Sequence, residues 1–322
     1  MNRLRDQPDD LFALISGTSE STGLPPAFVE KDFWITELLR AVVVAASSEG
    51  ATAVFKGGTS LSKAYGLIER FSEDVDILLV PPGDLGQEAR HSVLRHICEQ
   101  AAEHLGIEPV RVEVVHSTTG IKRDVRYPYP RRFEAGPLSE GVLLEMGIRG
   151  GPDPRAAVEM ISLVTTHAFE HHGATEQDFQ EFHPVTVEVL APHRTLVEKL
   201  SLLHGLASRL PNRDAVEGLA RAGRHYYDIH NLLHHQPVLE ACSIPGCVEE
   251  LAADVGRHSA KHRWPFTPRP SAGYSASPAF DYESEACSAG RLAFRAIAGL
   301  IYGKVPSFDA CLDAVRVNAS IL

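Results

Sequence analysis

The stretch VFKGGTSLSKAYGLIERFSEDVDILLV, residues 54–80, constrains this chain more than any other. Residues 53–55 read as a short strand that runs into Gly57-Gly58. A helix is predicted from 59 to about 66, then a turn, then a strand from about 74 to 80 that Pro81-Pro82-Gly83 ends. Gly57 and Gly58 let the backbone approach a ligand with no Cβ in the way. The start of the helix offers unpaired N–H groups and the positive end of a dipole, where a phosphate can sit. Thr59 and Ser60 would add hydroxyl donors, and Lys63 lies about one turn further on. Asp74 and Asp76 stand two apart on a strand, so both carboxylates point to one face while Val75 and Ile77 point to the other. Two such carboxylates repel unless a cation lies between them. Mg²⁺ (or Mn²⁺) suits the position, because it takes a few carboxylates together with phosphate oxygens. Glu145, a charge inside the apolar run VLLEMGI, needs an explanation and is the expected third carboxylate.

The rest of the chain sets this motif in an α/β frame. Pro25 and Pro26 open a helix whose apolar residues Phe33, Ile35, Leu38, Leu39 and Val42 recur at helical spacing. A helix over 86–105, strands over 110–115, 142–148 and 185–190, and a helix over 161–170 are predicted. From Pro192 onward the pattern is mostly helical, so a core of 1–190 and a helical domain of 191–322 are expected. Residues 265–280, rich in Pro, Ser and Gly, read as a long loop between helices.

Bulk properties exclude several classes. The 322 residues hold no apolar run near the roughly 20 residues that a bilayer span needs, and the polar N-terminus lacks a signal-peptide core. The five cysteines form no CxxC pair and read as free thiols, so a cytoplasmic protein is expected. A net charge of −11 argues against nucleic-acid affinity driven by overall charge, though not against a local basic surface. Lys122, Arg123, Arg126, Arg131 and Arg132, interleaved with Tyr127 and Tyr129, are expected to form one RNA-contacting loop. Arg257, Lys261, Arg263, Trp264 and Arg269 form a second candidate. The 16 histidines include no HExxH, and the adjacent pairs His171-His172 and His234-His235 do not share a helix face, so no structural zinc site is expected; only His230 and His234 have facing spacing.

KGGTSLSKAYGLIERFSEDVDI resembles the signature of the AbiEii/AbiGii nucleotidyltransferase toxins, a family that includes the MenT-type toxins. The similarity begins at FVEKDFWITELLRAV and resumes at APHRTLVEKLSLLHG and RHYYDIHNLL, covering about residues 28–235 in the family's order. The resemblance implies a polymerase-β-like nucleotidyltransferase core with a mixed sheet, plus the helical C-terminal domain. It implies that Gly57, Gly58, Thr59 and Ser60 bind nucleotide phosphates and that Asp74 and Asp76 hold metal. Lys199, in LVEKL, matches a family lysine that contacts the nucleotide, and Asp228, in HYYDIHNL, a second-domain acidic residue of the site. From the residues alone, Lys199 reads equally as a surface lysine, and Asp228 as a helix carboxylate paired with Arg224. The implied reaction moves a nucleoside monophosphate from an NTP to RNA, a tRNA 3′ end in the first place, and the implied partner is a cognate antitoxin. Transfer to a protein hydroxyl, and a catalytically silent nucleotide- or antitoxin-binding module, are the alternatives. Ser72, two residues before Asp74, is a turn serine where a phosphate would add about −1.5 to −2 charges beside the carboxylates, so it is the expected regulatory position.

Overall fold

The structure, a computed structural model, describes residues 2–134, 136 and 138–322. Its chain forms two compact units. The first comprises Met1–Ala64, Phe71–Ile148 and Arg155–Val189; the second comprises Tyr65–Arg70, Arg149–Pro154 and Leu190–Leu322. The division after Val189 lies beside the expected boundary, but two short segments from the N-terminal half belong to the second unit. No sequence pattern marks them.

In the first unit, α1 (Pro8–Thr22) and α2 (Pro26–Ser48) precede β1 (Thr52–Lys56), α3 (Gly57–Lys63), β2 (Asp74–Val80) and α4 (Gln87–Leu105). Then come β3 (Glu113–Thr118), β4 (Lys122–Tyr127), β5 (Val142–Gly147), β6 (Arg155–Met160), α5 (Leu163–His172) and β7 (Val185–Leu190). The seven strands form one sheet in the order β3-β4-β5-β2-β1-β7-β6. β1 is antiparallel to β2 and parallel to β7, whereas β2 is parallel to β5, so the sheet is mixed. The core lies where α2 and α4 cover it. Phe33, Leu38, Leu39 and Val42 of α2, and Leu94, Ile97 and Ala101 of α4, are buried with Val54, Phe55, Val75 and Ile77. α2 also buries charges, each with a partner. Glu37 binds Arg5 at 2.8 Å and Arg40 at 3.0 Å, and Lys31 binds Glu73 at 2.5 Å.

The second unit is helical: α6 (Pro192–Ala207), α7 (Arg213–Ala220), α8 (Gly223–Leu232), α9 (Gln236–Cys242), α10 (Cys247–Lys261), α11 (Glu285–Ala296) and α12 (Phe308–Val317). The segment 265–280 is the long loop its composition predicts, but part of it is packed into the unit. Tyr274 and Ala279 are fully buried, and the Tyr274 hydroxyl pairs with Ser201 at 2.5 Å.

Two expectations are corrected. Residues 155–160 form a strand absent from the sequence reading, because RAAVEM shows alternation too weak to signal one. The expected basic loop over 120–132 instead contains β4, in which alternate side chains face opposite ways.

Candidate active site

β2, β5 and β4 lie side by side, and their register builds a row of acids. Asp76 is opposite Glu145, and Glu145 is opposite Asp124. Side chains at paired positions share a face, so three carboxylates from three strands line up on one side of the sheet. Asp76 and Glu145 are in hydrogen-bonding contact. Burial, and then the Glu145 charge, push the Asp76 carboxyl up to about 7. Lys122, two residues before Asp124 on β4, answers the outer end of the row. Its ammonium lies 2.8 Å from Asp124 and 3.5 Å from Glu145. Burial opposes the charge of Lys122, but these two acids outweigh it and raise its pKa. Asp124 was missed by sequence reasoning. Its signal was the alternation of Lys122, Asp124 and Arg126 against buried Val125 and Tyr127.

The glycine turn meets this row at Asp76. Gly57 has φ +79°, and a Cβ there would lie 2.0 Å from Asp76 Oδ2. Only glycine fits, both for its backbone conformation and for the space that the carboxylate occupies. The hydroxyls beside the turn serve differently from the expectation. Thr59 Oγ1 donates to the Asp74 carbonyl at 2.5 Å, tying α3 to the first residue of β2. Ser60 is fully buried, and its hydroxyl donates to the Gly57 carbonyl at 3.0 Å. Both hydroxyls therefore shape the turn and are not held out as donors for a ligand. Lys63 is also committed elsewhere. Its ammonium donates to Asp32 at 2.6 Å and to the Ile161 carbonyl at 3.3 Å.

The approach to Asp74 is pinned. Glu73 Oε2 accepts from Lys31 and, at 2.6 Å, from the Ser139 amide, and Phe71 stacks on Phe28 with centroids 4.1 Å apart. Ser72 sits partly exposed between these anchors.

Among the described residues no three His, Cys, Asp or Glu side chains converge on one ion position as placed. The donor chemistry nevertheless fits a hard divalent cation. Asp76 and Glu145 are two carboxylates in contact at the price of a raised pKa, and a cation between them would remove that repulsion. Lys122 occupies part of that charge environment.

The predicted RNA-contacting residues are not brought into one loop. Lys122 faces the acid row, while Arg123 lies on the opposite face of β4, where its charge acts on Cys98. Arg126 pairs with Glu113 at 3.3 Å. Arg131 donates to the Ser139 carbonyl at 3.0 Å and lies 5.9 Å from the Tyr129 ring centroid. Arg132 is exposed, and its backbone amide donates to Glu30.

In the second unit, Asp228 is fully buried and both its oxygens are occupied. Oδ1 accepts from Arg70 Nε at 2.6 Å; Oδ2 accepts from Arg70 at 2.8 Å and lies 2.8 Å from Lys199 Nζ. Burial works against the Asp228 charge, but the two cations overcome it and hold the carboxyl far below the usual range. Burial lowers the pKa of Lys199, whose ammonium also donates to His225 Nδ1 at 3.4 Å. Burial and that ammonium keep His225 neutral. Lys199 is thus not the exposed lysine that the residues alone also allowed, and Asp228 pairs with Arg70 and Lys199. Arg70 and His225 were missed, because Arg70 is 158 positions from its partner. The histidines expected to face each other do so, with the His230 and His234 ring centroids 4.2 Å apart.

The sequence profile described as "Nucleotidyl transferase AbiEii toxin, Type IV TA system" matches residues 37–314. The chain belongs to the AbiEii family of nucleotidyltransferase toxins. Such a toxin implies an NTP substrate and a partner antitoxin. The chain is also similar to a solved structure, MenT4, a nucleotidyltransferase toxin from Mycobacterium tuberculosis H37Rv. The alignment covers 96% of each chain at 17% identity and a TM-score of 0.46, too distant to support an argument about residues. No curated protein sequence matches the chain. Among the described residues no helix is long and apolar enough to cross a membrane.

Proposed function

We propose that this AbiEii-family chain transfers a nucleoside monophosphate from an NTP to the 3′ end of an RNA, tRNA in the first place, in the cytoplasm, and that the reaction requires Mg²⁺. The observation that carries the reading is the seating of Asp76 against Gly57 and in contact with Glu145. It puts a carboxylate pair beside a backbone turn that has no side chain in the way. Asp74, Asp76 and Glu145 are the residues that would hold the metal, which when bound would neutralise charge on the triphosphate. Gly57 and Gly58 put no Cβ between the backbone and phosphate oxygens, and Thr59 and Ser60 hold the turn in shape. Lys122 supplies a counter-charge to Asp124 and Glu145 at the outer end of the row. Lys199 is the nucleotide-contacting cation that the family implies, and Asp228 acts through it as a positioning residue.

The test is incubation with each α-labelled NTP, Mg²⁺, total RNA and lysate protein, followed by sizing of the labelled product. Label in RNA of tRNA size is expected, and it should vanish in Asp74→Ala and Asp76→Ala. Label on protein alone, or label that survives Asp76→Ala, refutes the assignment.

A further inference from the structure

The C-terminus of α10 is closed by a residue that helices avoid at that position. The Trp264 amide donates to the Ser259 carbonyl at 2.9 Å and the Arg263 amide to the Ala260 carbonyl at 3.1 Å. These are the paired reverse bonds of a Schellman cap, whose left-handed residue is usually glycine. Three other helices of this chain, α1, α4 and α5, do end on a left-handed glycine: Gly23, Gly106 and Gly173. At α10 the left-handed residue is Arg263, φ +55°, the single non-glycine with positive φ among the described residues. A side chain at such an angle costs backbone energy, and residues held in that way cluster where function needs the side chain.

Its surroundings indicate the function. Trp264 is 48% exposed, whereas the chain's other tryptophan, Trp34, is 5% exposed. The Arg149 guanidinium, from the same unit, lies over the Trp264 ring at 4.6 Å from its centroid, and Arg149 Nε is buried without a hydrogen-bond partner. Lys261 and Arg263 are exposed. Asp254, about two turns back along α10, is already held by Arg194 at 2.6 Å and Arg257 at 2.9 Å. An exposed indole stacked with a guanidinium, next to cations not neutralised by nearby acids, is the combination that single-stranded nucleic acid recognises through base stacking and phosphate contact. It is a local exception on a chain of net charge −11.

We propose that this corner, Arg149, Lys261, Arg263 and Trp264, binds a single-stranded RNA end, with Trp264 stacking a base and Arg263 and Lys261 contacting phosphates. As a site for the acceptor it rests on the RNA-transfer reading above, but the binding can be measured without any transfer. The full-length protein, without NTP, is titrated with a short single-stranded RNA ending in CCA while tryptophan fluorescence is followed. Quenching of the exposed Trp264 is expected. Trp264→Ala, read by RNA anisotropy, should weaken binding about tenfold or more. Arg263→Gly should weaken binding and reduce the salt slope by about 0.7 for the lost phosphate contact. The same substitution should raise the thermal midpoint, because glycine relieves the cap. Opposite signs for affinity and stability in one variant are what a merely structural arginine would not produce. Arg263→Gly with unchanged RNA affinity and salt slope overturns the proposal. So does a poly-glutamate polypeptide that quenches Trp264 as strongly as RNA, which would identify an acidic protein partner instead. Labelling confined to protein, with RNA still titrating Trp264, would sink the transfer reading and leave this site standing.

Discussion

The contact between Asp76 and Glu145 makes metal-free protein sensitive to pH in a defined direction. The Asp76 carboxyl is pushed from its ordinary 3.8 to about 7. The folded state therefore binds a proton there that the unfolded chain releases. Stability from this group is fully present below about pH 4 and is lost as pH rises through about 7. The interval, at about 1.4 kcal/mol per pH unit, sets a ceiling of about 4 kcal/mol. Asp76 is partly exposed and solvent screens part of the repulsion, so the expected loss between pH 5 and 8 is about 1–2 kcal/mol. Urea unfolding is measured at several pH values across that range with EDTA, then with saturating Mg²⁺, for wild type and Asp76→Asn. The wild type should lose stability with rising pH in EDTA. Asp76→Asn, which carries no charge, should lose about 1–2 kcal/mol less. Mg²⁺ should flatten the wild-type profile, because the cation takes over the work of the proton. A wild-type profile parallel to that of Asp76→Asn, or one that Mg²⁺ leaves unchanged, would refute both the carboxylate pairing and its reading as a metal seat.

Other expectations follow from the same geometry. Gly57→Ala should cut nucleotidyl transfer by about 100-fold or more in a labelled-NTP assay, because its Cβ would displace the Asp76 carboxylate and strain a left-handed backbone. Asp228→Ala should cost about 3–5 kcal/mol in urea unfolding, because it strands Arg70 and Lys199 as buried cations. The combined Arg70→Met/Asp228→Leu should cost less than Asp228→Ala, and equal or greater loss would argue against the pairing. Ser72→Asp should lower transfer activity while leaving the unfolding midpoint within about 0.5 kcal/mol of wild type, since its neighbours Phe71 and Glu73 are pinned and a new charge cannot swing away. Full activity of Ser72→Asp would remove Ser72 as a regulatory position.

The parts of the site that were legible in the sequence are those built by neighbours along the chain. Asp74–Val80 emerges as a strand with the bounds that its alternation predicts, because Val75 and Ile77 are buried while Asp74 and Asp76 are only partly so. Gly57 and Asp76 could each be singled out, but their contact could not, since it depends on the antiparallel pairing of Lys56 with Asp76. The hydroxyls misled for a related reason. A Thr-Ser pair at a helix start looks the same whether it points to a ligand or to its own backbone, and burial decides. The basic stretch over 120–132 misled more. Charges that look like one patch in sequence are split between two faces once the segment is a strand, and Lys122 and Arg123 end on opposite sides of the sheet.

The same reasoning separates the roles of the two acidic clusters. At Asp76 and Glu145 like charges meet, with Lys122 near Glu145 and the Lys56 charge only partly offsetting the repulsion at Asp76, an arrangement that costs energy until a further cation arrives. At Asp228 one carboxylate is held between two cations with every oxygen filled, an arrangement that is complete without a ligand and leaves a net positive charge on its surroundings. A metal has reason to enter the first and none to enter the second. The Lys199 side chain retains 8% exposure while that of Asp228 has none, so under the proposed function a phosphate would meet the lysine and not the acid. The surroundings of the two acids thus differ: Asp76 repels Glu145 until neutralised, and Asp228 holds Lys199 in place.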